Sequence, residues 1–485
     1  TGAAQAGLLL GHNVGIPAFR WYEKDTKRTV VSSSPKDAAE LEARLSDGAG
    51  LLAVGGASRG NLVSGDAPIT LATLSTVRNG ERISGEMYGY FSHPYGFART
   101  LLLFFADIGL ELKSQFQQKR NKVEPRLGSK RLGTYPFLRA ATTVVLRDVN
   151  VATLISDMMQ GVPVAYSTFV GYDEVAHHSG IERSDTMAVL RRLDHRFERI
   201  ARAAEYAPRP YEFVILSDHG QSQGATFKQR FGTSLDDLVR LAVGEGSTVS
   251  ALDSEDERVA ELTSAVGSVS ASSGAGAKAI SKLIPTDPTD GSVEIRESKQ
   301  AKQQRKELDS GQTPDLLVMA SGNLGLIYLL EGDERLTLEQ ITELHPRLID
   351  TLRTHRGIGF LMVRSAEHGA VVIGSNGVHY LADDRVDGED PLAPFGPNAA
   401  DHLRRNDGFD HMPDILVNSF YDPLTQDACA FEELIGFHGG LGGPQSHPFA
   451  LAPSGWPVPD KPIVGAEHMH LVMRDWLKHV GQDVA

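Results

Sequence analysis

Runs of apolar residues and their spacing divide much of the chain into recognisable elements. Val162–Val170 is apolar and β-branched and leads into Gly171-Tyr172-Asp173, the pattern of a buried strand. From about Asp185 to Ala207, Met187, Leu190, Leu193, Phe197, Ile200 and Ala204 recur at helical spacing, which predicts a helix with one apolar face. Tyr211–Leu216 predicts a second buried strand, ending in Ser217-Asp218-His219-Gly220. Strand, helix, strand predicts a βαβ unit and with it a parallel sheet. Both strands deliver an Asp and a His at their C-terminal ends, where open α/β sheets place ligands.

The same reading extends along the chain. Thr1 followed by Gly2–Leu10 and Gly11 predicts a capped, tightly packed helix with a glycine stop. Leu51–Val54, bounded by glycine-rich turns, predicts a short buried strand, and Arg99–Leu112 a helix with an apolar face. Strands are expected at Asp315–Met319, Ile358–Val363, Ala370–Ile373 and Asp414–Asn418, with a helix over Leu338–Thr354. Between about Gly244 and Pro314 the composition shifts to Ser, Ala, Gly, Asp, Lys and Gln, the mark of a low-complexity insertion. There is no internal repeat. The fold class is α/β.

Charge and composition narrow the chemistry. Across 485 residues, 48 Lys+Arg stand against 62 Asp+Glu, a net charge of −14. That balance argues against a nucleic-acid-binding surface and leaves room for a small phosphorylated substrate if cations invert the local field. Lys113–Arg131 runs the other way, with seven basic residues and only Glu124 acidic. It predicts a solvated helix face, or else contact with a membrane surface or an anionic ligand. A single cysteine, Cys429, excludes an internal disulfide and a thiolate cluster, so any metal is held by His and carboxylates. The longest apolar run, Leu101–Phe105, is too short to span a bilayer.

Three segments carry candidate metal ligands. Asp173 and His177 stand four residues apart and share a helix face, although a surface Asp and a capping His would look the same. Asp218-His219 ends a strand ahead of Gly220, where an Asx-type turn is the plain alternative. His438 precedes Gly439-Gly440-Leu441-Gly442-Gly443, a loop whose N–H groups can approach an anion, or a simple connection. Together they offer two carboxylates and three imidazoles, an O/N set suited to zinc. Thr1, at the positive end of a helix dipole, supplies a nucleophile.

On Asp173-x-x-x-His177, Ser217-Asp218-His219-Gly220 and His438-Gly439, in that order, the chain resembles the type I phosphodiesterase/nucleotide pyrophosphatase family of the alkaline phosphatase superfamily. Thr1, Gly11 and Gly15-Ile16 fall where that family has a helix-heading Thr, a Gly and a Gly-Ile. Nearly the whole chain is similar to a bacterial branch often described as phage holin family membrane proteins, through Gly15-Ile16-Pro17-Ala18-Phe19-Arg20-Trp21-Tyr22 and Phe437–Gly443. The resemblance implies an α/β/α sandwich with a mostly parallel central sheet. It makes residues 1–485 one catalytic domain lacking its N-terminal strand, with 244–314 inserted. It implies two zinc ions, one held by Asp173, His177 and His438, the other by Asp218, His219 and the Thr1 hydroxyl. Thr1 would attack phosphorus to give a phospho-threonine intermediate. The family also supplies an Asp from a strand upstream of the nucleophile, and any membrane tether would likewise lie upstream of Thr1. Where the family often holds a phosphoryl oxygen with Asn, this chain has Phe19 and Arg20, so Arg20 or Asn61 is expected to substitute.

Two other readings follow from the same residues. A relative that has lost catalysis would serve as a binding or membrane-associated scaffold. An N-terminal-threonine hydrolase would use the Thr1 amine as its base, but leaves the Asp and His residues without a role.

Overall fold

The computed structural model describes residues 1–76, 94–128, 131, 133, 135–252 and 314–485. Its largest sheet has eight strands in the order Arg385–Gly388, Gly377–Tyr380, Gly369–Ile373, Ile358–Ser365, Ile415–Ser419, Leu324–Leu329, Leu316–Ser321 and Val249–Leu252. Alternate side chains enter two different cores. Leu317, Met319, Leu326 and Phe360 pack with Leu8, Leu9, Trp21 and Trp476. Leu316, Val318, Ile327 and Leu361 pack with Phe227, Leu238, Ile341 and Leu352. Helices and a small hairpin thus cover both faces, and the fold is mixed α/β.

The direction of this sheet differs from the expectation of mostly parallel strands. Only Val249–Leu252 runs parallel to its neighbour; every other pairing is antiparallel. Connection length is the cause. Gly322-Asn323 alone joins Leu316–Ser321 to Leu324–Leu329, a strand absent from the sequence expectations. A two-residue link can close only a hairpin, whereas parallel strands need a long crossover. Val249–Leu252 also lies inside the expected insertion, yet it belongs to the main sheet; residues 253–313 of that stretch lie outside the described residues.

Parallel pairing does occur, in a three-stranded sheet of Ile69–Leu71, Ala57–Arg59 and Ala165–Ser167. The expected partnership of Val162–Val170 with Tyr211–Leu216 is not made. Only Ile215–Leu216 is strand, and its ladder bonds go antiparallel to Ala450–Leu451. Phe213 beside it is 38% exposed, so the run is not buried on both sides.

Two further expectations change for local reasons. Leu51–Val54 forms turns, with Ala53 N–H bonded to Gly50 O and Gly56 N–H to Leu52 O; four apolar residues are too few for periodicity to decide. The helix over Leu338–Thr354 breaks into Leu338–Leu344 and Leu348–Arg353 at His345-Pro346, because proline disfavours helical backbone at the residue before it. The helices at Gly2–Leu10 and Ser184–Ala204 form as expected, and Arg99–Leu112 falls within a longer helix, Pro94–Arg120. Among the described residues, no helix is long and apolar enough to cross a membrane.

Candidate metal and nucleophile site

Asp173 and His177 lie in the helix Gly171–Ser179, and their spacing puts His177 Nε2 3.1 Å from Asp173 Oδ2. His177 Nδ1 is 2.7 Å from the carbonyl of Gly436. A carbonyl only accepts, so Nδ1 carries a hydrogen, and an Nε2 without one turns its lone pair toward the carboxylate. Two acceptors face each other across 3.1 Å, an arrangement that asks for a proton or a cation between them. His438 Nε2 is 3.6 Å from the other Asp173 oxygen, which also accepts from Gln221 Nε2. Asp173, His177 and His438 each offer one atom within 4.8 Å of the others.

His219 links this group to the nucleophile. Its ring stacks on His438 with centroids 3.6 Å apart. Its Nδ1 donates to Gly220 O at 2.9 Å, leaving Nε2 to accept from the Thr1 hydroxyl at 3.0 Å. Thr1 occupies the N-cap position of Gly2–Leu10, but its side chain makes no capping bond; the oxygen is turned to the histidine instead. Asp218 Oδ1 lies 3.5 Å from His219 Nε2. Asp218 Oδ2 is buried with no hydrogen-bond partner among the described residues, a costly state for a carboxylate.

The electrostatics follow from burial and these contacts. Burial alone would raise the Asp173 carboxyl, but the imidazoles of His177 and His438 outweigh it and hold it well below the usual carboxylate range. Burial pushes His438 well below the usual histidine range, with His219 adding to the effect and Asp173 opposing it. The Tyr166 phenol is raised by burial and by Asp218. With imidazole nitrogens, carboxylates and one orphaned carboxylate oxygen, the donor set fits a divalent cation.

The backbone explains why the sequence tolerates few side chains here. A Cβ on Gly220 would meet Pro444 O at 2.0 Å, so close approach, not a special turn conformation, is what the residue after His219 provides. Gly322, in the hairpin turn of the large sheet, has φ 61° and lies against His438; a Cβ there would fall 1.9 Å from His438 O. The loop after His438 is fastened rather than open. Gly440 N–H donates to Asn323 Oδ1 at 3.0 Å and Leu441 N–H to Asn418 Oδ1 at 2.7 Å. Those two N–H groups are therefore committed, against the expectation of an anion cradle.

Thr1, Arg20, Asn61, Asp173, His177 and His438 line one cavity of about 100 Å³, walled on its apolar side by Phe19, Leu62, Leu74, Leu146 and Val170. Arg20 is buried and donates to Ala320 O and, at 2.6 Å, to Glu432 Oε1. Asn61 is also buried; its amide donates to Ser58 Oγ and Tyr166 O and accepts from Thr168 Oγ1 at 2.7 Å. Both border the cavity already engaged with protein groups. Gln221 and Glu432 were not anticipated, since neither stands in a motif, and only the fold brings them to Asp173 and Arg20.

A second group of acid and histidine passes the same distance test: Glu23, Asp25 and His411. Glu23 is buried, but Arg44 lies 2.7 Å away and Thr26 donates to it at 3.1 Å. No protein-family model, curated protein or solved structure matches the chain.

Proposed function

We propose that the chain is a metal-dependent hydrolase of phosphate esters, of the phosphodiesterase/nucleotide pyrophosphatase or phosphatase type, with Thr1 as nucleophile on an alkaline-phosphatase-like α/β/α fold. The observation that carries this reading is the Thr1 hydroxyl 3.0 Å from His219 Nε2, with His219 stacked on a histidine that flanks Asp173. One ion would be held by Asp173, His177 and His438, the other by Asp218, His219 and the Thr1 hydroxyl, and zinc best suits these donors. Two divalent ions supply neutralisation of phosphoryl oxygens and a lowered hydroxyl pKa.

The chain's own residues supply the rest. Gly436 and Gly220 carbonyls fix the tautomers of His177 and His219, so both present Nε2 lone pairs. Thr1 stands at the N-terminal end of a nine-residue helix, where the dipole favours negative charge on its oxygen and on an incoming phosphoryl group. The oxygen gives up its proton to solvent and attacks phosphorus, and the departing alkoxide takes up a proton from solvent. Water then frees inorganic phosphate from the phospho-threonine when the substrate is a monoester, or the remaining phosphomonoester when it is a diester. The apolar wall of Phe19, Leu62 and Leu74 limits competing water. Arg20 and Asn61 are the donors proposed for a phosphoryl oxygen, each by exchanging one of its present bonds.

Metal analysis combined with a panel of chromogenic phosphodiesters and monoesters tests the reading. Two ions per chain, turnover abolished by Thr1→Ala, and labelled phosphate trapped on Thr1 are expected. A chain that neither retains metal nor turns over any ester would sink it and favour the scaffold reading. Turnover surviving in Thr1→Ala would remove the nucleophile alone.

A further inference from the structure

The helix Pro94–Arg120 sorts its side chains by charge. Its two carboxylates point inward and are buried. Asp107 receives Arg139 Nε at 3.1 Å and Arg192 Nη1 at 2.7 Å, and Glu111 receives Arg131 Nε at 2.9 Å and also Arg139. The cations Lys113, Lys119 and Arg120 are exposed, and Lys122 continues them past the helix end. Among the described members of the basic stretch, Arg131 is the one that the fold buries.

Large apolar side chains share the outer face with these cations. Leu102 is 72% exposed, Phe105 47%, Leu112 46% and Phe116 67%. Spacings of three, seven and four keep them in one stripe. Single exposed leucines are ordinary, but a contiguous stripe with two phenylalanines is not. Among the described residues nothing covers it. The helix is 27 residues long, about 40 Å at 1.5 Å per residue.

We propose that this helix docks in the headgroup region of an anionic lipid bilayer, its Leu and Phe stripe entering the acyl boundary and its Lys and Arg side chains meeting lipid phosphates. Cations beside an apolar stripe, with both carboxylates withdrawn, are the charge pattern that an interfacial helix presents to anionic lipid. The pattern is the more pointed because the whole chain carries a net charge of −14. A second copy of the same helix is a poorer occupant. It would bring Lys113, Lys119 and Arg120 of its own and no exposed carboxylate on the helix to meet them; Glu124, beyond the helix end, already faces Arg126 at 3.4 Å.

Co-sedimentation of the 485-residue chain with vesicles tests this. Vesicles with about a third phosphatidylglycerol in phosphatidylcholine should bind it at about 0.1 M salt, release it at about 1 M, and bind far better than phosphatidylcholine alone. Lys113→Gln, Lys119→Gln and Arg120→Gln together should lower partitioning about a hundredfold. Phe105→Gln with Phe116→Gln should abolish it. No binding by the unmodified chain, or equal binding to neutral vesicles, overturns the proposal without recourse to any variant. A dimer in light scattering that Phe105→Gln with Phe116→Gln dissociates, without vesicle binding, overturns it in favour of a second copy.

Discussion

The two groups of carboxylate and histidine are alike in composition and unlike in what surrounds them. Glu23 lies beside a guanidinium, so its charge is balanced within the fold, and His411 stays 3.8 Å away. Around Asp173 the described partners are two imidazoles and one amide, with no lysine or arginine. The first group is a finished ion pair with a histidine nearby. The second has negative charge, lone pairs and an orphaned carboxylate oxygen at Asp218, and a hydroxyl within reach. Proximity of acids and histidines is therefore not the discriminating property. What discriminates is whether the acid has already met a permanent cation.

Substitutions sharpen that contrast, and the largest effect belongs to the second group. Asp173→Ala and Asp218→Ala should each lower ester hydrolysis on the order of a thousandfold or more, with loss of bound metal. Glu23→Ala should leave turnover per folded molecule within about twofold, measured by rates normalised to folded protein. Equal losses in both groups would erase the distinction.

Arg20 comes next, because it borders the cavity yet is balanced like Glu23. Arg20→Ala leaves Glu432 buried without this partner and should cost about 3–5 kcal/mol in urea unfolding. Weaker substrate affinity per folded molecule in the same variant would support Arg20 as a phosphoryl donor; unchanged affinity would leave it only its bond to Glu432.

Glu23→Gln should cost less, about 1.5–3 kcal/mol at neutral pH. Burial raises the Glu23 carboxyl, but the Arg44 hydrogen bond and the charges of His411 and Arg44 prevail and hold it below its ordinary 4.5. A lowered folded pKa means stability that is present above about pH 4.5 and lost as pH falls through the folded value. The variant should therefore show a shallower acid limb in unfolding midpoints taken between neutral and acid pH. An unchanged limb would mean that Glu23 does not carry the charge assigned to it. Asp25→Asn, at 60% side-chain exposure, should shift stability by no more than about 0.5 kcal/mol.

How much of this could be read beforehand follows from the range of each determinant. Strands such as Ile358–Ser365 and Ile415–Ser419 were legible because burial on both faces makes them continuously apolar. That same continuity hid their direction: the two pair antiparallel with each other across a long stretch of intervening chain. Asp173 and His177 were legible because helical spacing is local. Their meeting with His438 was reached only by resemblance and by combining three weak patterns. The commitments of Asn61 to Tyr166 and Thr168, and of Arg20 to Glu432, were invisible because the partner in each case is fixed by folding and not by spacing.

The helix Gly2–Leu10 packs at its C-terminal end against Ala466–His479, where His470 Nδ1 donates to Leu8 O at 2.9 Å. Ribosomes deliver these two helices far apart in time. At roughly 5–20 residues per second, the interval is on the order of 20 to 90 s. For that period Leu8, Leu9 and Leu10, each all but buried at the end, have no permanent cover from the last helix. The segment that carries the nucleophile is thus made long before the helix that secures it. A cell producing this chain has reason to shield the emerging segment, and chaperone dependence should concentrate there.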